Sequence, residues 1–223
     1  MATTAQRARR ARARRTREEV RARIVAAAVE LVRHRSYAEL SVEGVMREAG
    51  IGRTIFYRHF DDIADLLVRA SREAIDELYA AQPRPEEIAA GQEPEAIRRG
   101  LEPAVAVYRR HGPLLRAIAE AAASDPDLAR GHAAMRGRFE QLNESFLRDA
   151  QRRGSRPLAD VSETARAMTV ISEAYLLDAY GREPRVPVEV AVQTLSEIWL
   201  ALTAPEGRTG AAPTEGSESG SGD

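Results

Sequence analysis

The chain has 223 residues with 33 basic against 34 acidic side chains and no cysteine, enough length for a sizeable core while excluding a disulfide framework and a thiol nucleophile. Its net charge of −1 hides an asymmetry: residues 1–60 hold 14 Arg against 6 Glu, or +8, which leaves −9 for the remainder. A basic head on an acidic body points to a polyanion at one end. No apolar run approaches the roughly 20 residues of a membrane helix, so a soluble cytoplasmic protein is expected.

From Thr16 to Leu202 the apolar residues recur with helical spacing and no window alternates as a strand would, so the fold class is all-α. A first helix opens at Thr16, with Glu19 three residues on, and sets Val20, Ile24, Ala27 and Leu31 on one face. Residues 1–15 before it read as a disordered, Arg-rich arm. Ser41 caps a second helix that runs to about Ala49 with Val42, Val45 and Met46 inward. After the Gly50-Ile51-Gly52 turn, a third short helix over Arg53 to Phe60 presents Arg53, Thr54, Tyr57 and Arg58 outward and anchors Ile55, Phe56 and Phe60 inward. A connecting helix, 63–81, begins behind Asp62.

The Pro- and Gly-bearing stretch from Gln82 to Pro94 marks a domain boundary. Beyond it, helices are expected at about Glu95 to Arg110, Pro113 to Ala123, Pro126 to Arg153, Val161 to Tyr180 and Val188 to Leu202. These form a larger domain over 95–203. The Gly-, Ser- and Pro-rich end, 204–223, reads as a disordered tail.

Short helix, glycine turn and short helix together have the spacing by which a recognition helix is held in a DNA major groove, giving a helix-turn-helix domain over 16–62. On Ser41, Ala49-Gly50-Ile51, Phe56-Tyr57-Arg58-His59-Phe60 and Leu66-Leu67 the sequence resembles the TetR family of bacterial transcriptional regulators. The resemblance implies a ligand-responsive homodimer, a repressor reading a palindromic double-stranded operator, with a C-terminal domain that binds a small molecule and dimerises. Carried over by position, Ser41 would meet phosphate, Arg53 and Thr54 would approach base edges, and Tyr57, Arg58 and His59 would line the contact. His59 also lies near the apolar side, so packing is an equal reading.

This sequence departs from the family pattern at Gly52, where Ser is usual, at Thr54, where Gly or Pro is usual, and at Ile63, where a Lys ordinarily reaches phosphate. Asp61 and Asp62 sit beside that missing cation. The arm offers compensation: Arg14, Arg15 and Arg17 close a run of seven arginines ahead of the first acid, Glu18, and such a run can track phosphates or enter the minor groove. A merely solvated tail is the alternative.

In the larger domain, Tyr108, Leu115, Ile118, Met135, Phe139, Leu142, Phe146, Met168, Ser172 and Tyr175 compose a lining suited to an apolar small-molecule effector, though aromatic and Met residues at helical spacing are first of all what cores contain. The run from Tyr108 to Ile118 is similar to the ligand domain of the ethionamide-resistance regulator subgroup. The helix from Val161 to Tyr180 has two apolar faces, and Val170, Ala174 and Leu177 on one of them, with Leu195 and Trp199 on the last helix, are the candidate dimer contacts. A wholly internal central helix would read the same. No catalytic residue, metal or cofactor is expected, since no nucleophile-base, phosphate-loop or metal-ligand spacing appears. Glu173 and Asp178 read as ordinary helix-surface charges, and His34, His111 and His132 as surface or boundary residues. Two rival readings stay open: an architectural DNA-binding protein without an effector, and a helical small-molecule-binding protein or enzyme with no DNA role.

Overall fold

A computed structural model describes residues 4–81 and 93–203, with only the backbone described for 4–13, Arg15 and Glu93. The elements run α1 (Thr4–His34), a 3₁₀ turn (Tyr37–Glu39), α2 (Val42–Ala49), a 3₁₀ recognition segment (Arg53–Arg58), α3 (Ile63–Ala80), α4 (Glu93–Ala122), α5 (Pro126–Arg152), α6 (Val161–Tyr180) and α7 (Val188–Thr203). The described residues contain no β-sheet, so the all-α class holds.

Three expectations change. Helix α1 starts at Thr4 rather than Thr16, so the described part of the 1–15 arm is helical instead of disordered. Ala and Arg are among the strongest helix formers, and the stretch has no Gly or Pro to stop them. The two helices expected at Glu95–Arg110 and Pro113–Ala123 are one continuous α4, which carries Pro103 and Pro113 inside it. Each proline removes a backbone donor. Burial of Val105, Tyr108, Leu114, Leu115 and Ile118 along both halves nonetheless holds the helix in one piece. The third change is the recognition helix, described with the site below. The tail 204–223 and most of the Gln82–Pro94 break lie outside the described residues.

The head is α1, α2 and the recognition segment around a core of Ile24, Ala28, Val45, Met46, Phe56, Phe60 and Leu66. Phe56 and Phe60 are 0% and 1% exposed, and burial at that level contributes about 1.5–3 kcal/mol per side chain. A second cluster, Val32, Leu67, Leu114, Ala117 and Ile118, joins the ends of α1 and α3 to α4. Helix α4 is the axis of the molecule, touching α1, α3, α5, α6 and α7. It packs tightly at Gly112, where a Cβ would stand 2.1 Å from the Tyr180 carbonyl oxygen, so only glycine lets α6 end against it.

Candidate nucleic-acid interface and cavity

The head presents its polar face from a rigid base. Ser41 Oγ accepts the Gly44 N–H at 3.1 Å and so starts α2, satisfying one orphan donor. At the other end Gly50 adopts φ 64°, and the Ile51 N–H reaches back to Met46 O at 3.0 Å. That left-handed turn favours glycine and sets the exit angle of the chain. Arg23 Nη2 donates to Ala49 O at 2.7 Å, closing the same helix end.

The recognition helix expected over Arg53–Phe60 is instead a 3₁₀ segment, Arg53–Arg58, entered from Gly52 and closed by His59 and Phe60 N–H groups donating to Phe56 O. So short a segment has few internal bonds to keep it regular, and its shape follows the anchoring of Phe56 and Phe60. Its orientation is as expected. Arg53, Thr54, Tyr57 and Arg58 are exposed, Tyr57 at 57%, while Phe56 and Phe60 are buried and Ile55 is half-buried. His59 is half-buried beside the Phe60 ring. Burial first, then Arg17, Arg21 and Arg58, push its imidazole below the usual range, which favours the neutral, hydrogen-bonding form.

Arg17 Nη2 donates to Arg58 O at 3.1 Å, which ties α1 to the end of the recognition segment. Arg14 is exposed and pairs with Glu18 at 3.2 Å, while the side chain of Arg15 lies outside the described residues. At the site of the missing Lys, Ile63 is half-buried against the head core. Asp62 caps α3 by accepting the Asp65 N–H at 2.8 Å, and Asp65 in turn holds Asp61 N–H and Arg69. The Asp62 carboxylate therefore serves the start of α3, whereas Asp61 takes part through its backbone N–H.

Within the larger domain a cavity of about 140 Å³ lies among α3, α4, α5, α6 and α7. That is slimmer than the few hundred Å³ of typical ligand pockets. Of the ten residues expected to line it, Tyr108, Met135, Phe139, Leu142, Phe146 and Ser172 do. Leu115, Ile118, Met168 and Tyr175 do not: Leu115 sits in the main core, Ile118 in the joint with the head, Met168 in the cluster around Trp199, and Tyr175 packs against the main core. Helical spacing gives a face but not the neighbour that face meets.

The polar groups of the cavity depart further from expectation. Glu173, expected on the surface, is 13% exposed in its side chain; it meets His132 Nε2 at 2.7 Å and Arg136 Nη1 at 3.6 Å. Asn143 Nδ2 donates to Thr169 Oγ1 at 2.8 Å, and Thr169 donates to Ala165 O. Burial, then the Glu173 carboxylate, hold the Tyr108 hydroxyl far above its ordinary range, so it stays protonated. A signal existed: Arg136 and Asn143 fall in the same stripe of α5 as Met135, Phe139 and Phe146.

The candidate dimer residues divide. Val170 and Ala174 are exposed and Leu177 half-buried, whereas Leu195 (1% exposed) and Trp199 (9%) are spent on the subunit's own core, which corrects their assignment to an interface. The open apolar face is instead completed by Ile171 at 51% and Ile198 at 41%, around a shallow hollow with Ala167, Met168, Ala201 and Leu202. Among the described residues no group of three or more His, Asp or Glu could hold a metal ion, and no helix is long and apolar enough to cross a membrane.

Two family models match the chain: bacterial regulatory proteins of the tetR family over residues 24–70, and the C-terminal domain of the transcriptional regulator EthR over 97–203. The HTH-type transcriptional regulator EthR of Mycolicibacterium smegmatis is 26% identical over 188 residues, covering 80% of this chain and 83% of that protein. EthR of Mycobacterium tuberculosis is 26% identical over 189 residues, covering 83% and 87%. In fold, the chain is similar to the TetR family transcriptional regulator PfmR from Thermus thermophilus, with a TM-score of 0.67 at 21% identity over 80% of this chain and 97% of that one.

Proposed function

Because the chain belongs to the TetR family of bacterial transcriptional regulators, with an EthR-like C-terminal domain, we propose that it is a ligand-responsive repressor acting as a homodimer on a palindromic operator. A DNA-binding regulator of this family is not an enzyme. The observation that carries the reading is the exposed face of Arg53, Thr54, Tyr57 and Arg58 on a base of buried Phe56 and Phe60. Two such faces about 34 Å apart would meet successive major grooves. The apolar α6 and α7 face supports dimerisation, and the cavity supports a largely apolar effector that widens it on binding. Sequencing DNA selected by the purified full chain tests the proposal. An inverted repeat is the expected product, and uniform retention of bulk DNA would favour the architectural reading.

Arg14, Arg15 and Arg17 belong to the same proposed surface, presented on a helix rather than on a flexible arm. Removing residues 1–15 is expected to weaken operator binding and to flatten the plot of log affinity against log salt by about 0.9 for each phosphate that the extension neutralises. Titrations across a salt series read this directly, and an unchanged slope would take the extension out of the interface.

A further inference from the structure

A buried cation connects the two parts of the molecule. Arg116, on α4, is 11% exposed in its side chain. Its Nη2 donates to Val32 O at 2.8 Å and to Arg35 O at 3.0 Å, both at the C-terminal end of α1, and its Nε donates to Gly181 O at 2.6 Å, just past the end of α6. Its Nη1 is held by Glu120 one turn further on, and the other Glu120 oxygen accepts the Tyr37 N–H at 2.8 Å, in the turn that leads to α2. Helix C-termini leave unpaired carbonyls and the negative end of the helix dipole, and here a single guanidinium answers two of them at once.

The same seam is sterically closed. Gly112, Arg116 and Glu120 repeat every four residues and so share one face of α4. A Cβ at Gly112 would collide with Tyr180 O, and one at Gly181 would lie 3.0–3.1 Å from the Arg116 side chain. The end of α6 can therefore move little without moving Arg116, and with it the end of α1. Upstream, α6 lines the cavity through Thr169, Ser172, Glu173 and Leu176, and α4 lines it through Tyr108.

We infer that Arg116, held by Glu120, is the positioning residue through which α6 sets the angle of the DNA-binding head, so that changes at the cavity reach the recognition segment through the joint of α6, Arg116 and α1. The inference rests on the regulator reading above. A monodentate contact would not serve, because the joint needs three carbonyls from two helices held by one rigid planar group.

The test uses the palindrome selected by the wild-type chain, with zero, one or two base pairs inserted between its half-sites. Each insertion turns one half-site by about 35° and moves it about 3.4 Å, so the wild type is expected to lose about tenfold or more per inserted pair. Arg116→Met and Arg116→Lys are each expected to flatten that discrimination to within about threefold, with single half-site binding and the dimer unchanged. Where Arg116→Met does not fold, Arg116→Lys decides, since an ammonium keeps the charge without the fork. A folded, dimeric variant that still discriminates spacing as the wild type does overturns the inference, as does a wild type indifferent to spacing. Failure of the wild type to select any palindrome overturns the regulator reading itself.

Discussion

Replacing Arg53 and Tyr57 together with alanine is expected to reduce operator binding to the level of random DNA while leaving the fold and the proposed dimer intact. Both side chains are exposed on the recognition segment, and neither belongs to the head core, where Phe56 and Phe60 hold the segment in place. The packing removed is the edge-on approach of Tyr57 to Phe56, whose ring centroids are 5.4 Å apart. A direct base contact is worth about 1–3 kcal/mol, and a dimer carries it twice, so loss of the Arg53 contact removes about 2–6 kcal/mol and loss of the Tyr57 contact adds to it. The whole gap between specific and non-specific binding is about 4–10 kcal/mol. Titration against the selected duplex and a scrambled one measures this, with thermal unfolding as the control. A variant that keeps its preference for the selected duplex would place sequence reading elsewhere in the head.

Introducing Ile171→Glu and Ile198→Glu together is expected to give a folded monomer with operator affinity lower by about 10²–10⁴-fold, the avidity that disappears when two linked heads become one. The wild-type residues are 51% and 41% exposed on one apolar face, so in the isolated subunit the new carboxylates stay in water and cost little. In a dimer packed through that face they would be desolvated, two per subunit and four per interface, beside the Glu163 carboxylate and with Arg156 as the one cation lining that hollow. Light scattering across a concentration series checks the assembly state. Persistence of the dimer would move the interface off α6 and α7.

The salient parts of the head were legible because they depend on neighbours in sequence. The Ser41 cap, the glycine turn at Gly50 and the inward Phe56 and Phe60 all follow from spacings of three to six residues. The cavity was legible by about half: Met135, Phe139, Leu142 and Phe146 line it at helical period on one helix, but Leu115 and Ile118 share their period with residues that face the cavity and are turned to other partners. Glu173 was misread because a lone acid in a helix looks solvated until His132 and Arg136, some forty residues earlier, are brought against it.

Sequence alone determined the all-α class, the basic head and its outward polar face, and the caps that start α2 and α3, because each of these is a local consequence of residue type and period. Only the tertiary structure decided that α4 runs unbroken through Pro113, that Leu195 and Trp199 fill the subunit's own core while Ile171 and Ile198 stay open, and that Arg116 joins α1 to α6. Those outcomes turn on contacts between helices distant in the chain. A helix's period states which residues share a face, and packing alone states what that face meets.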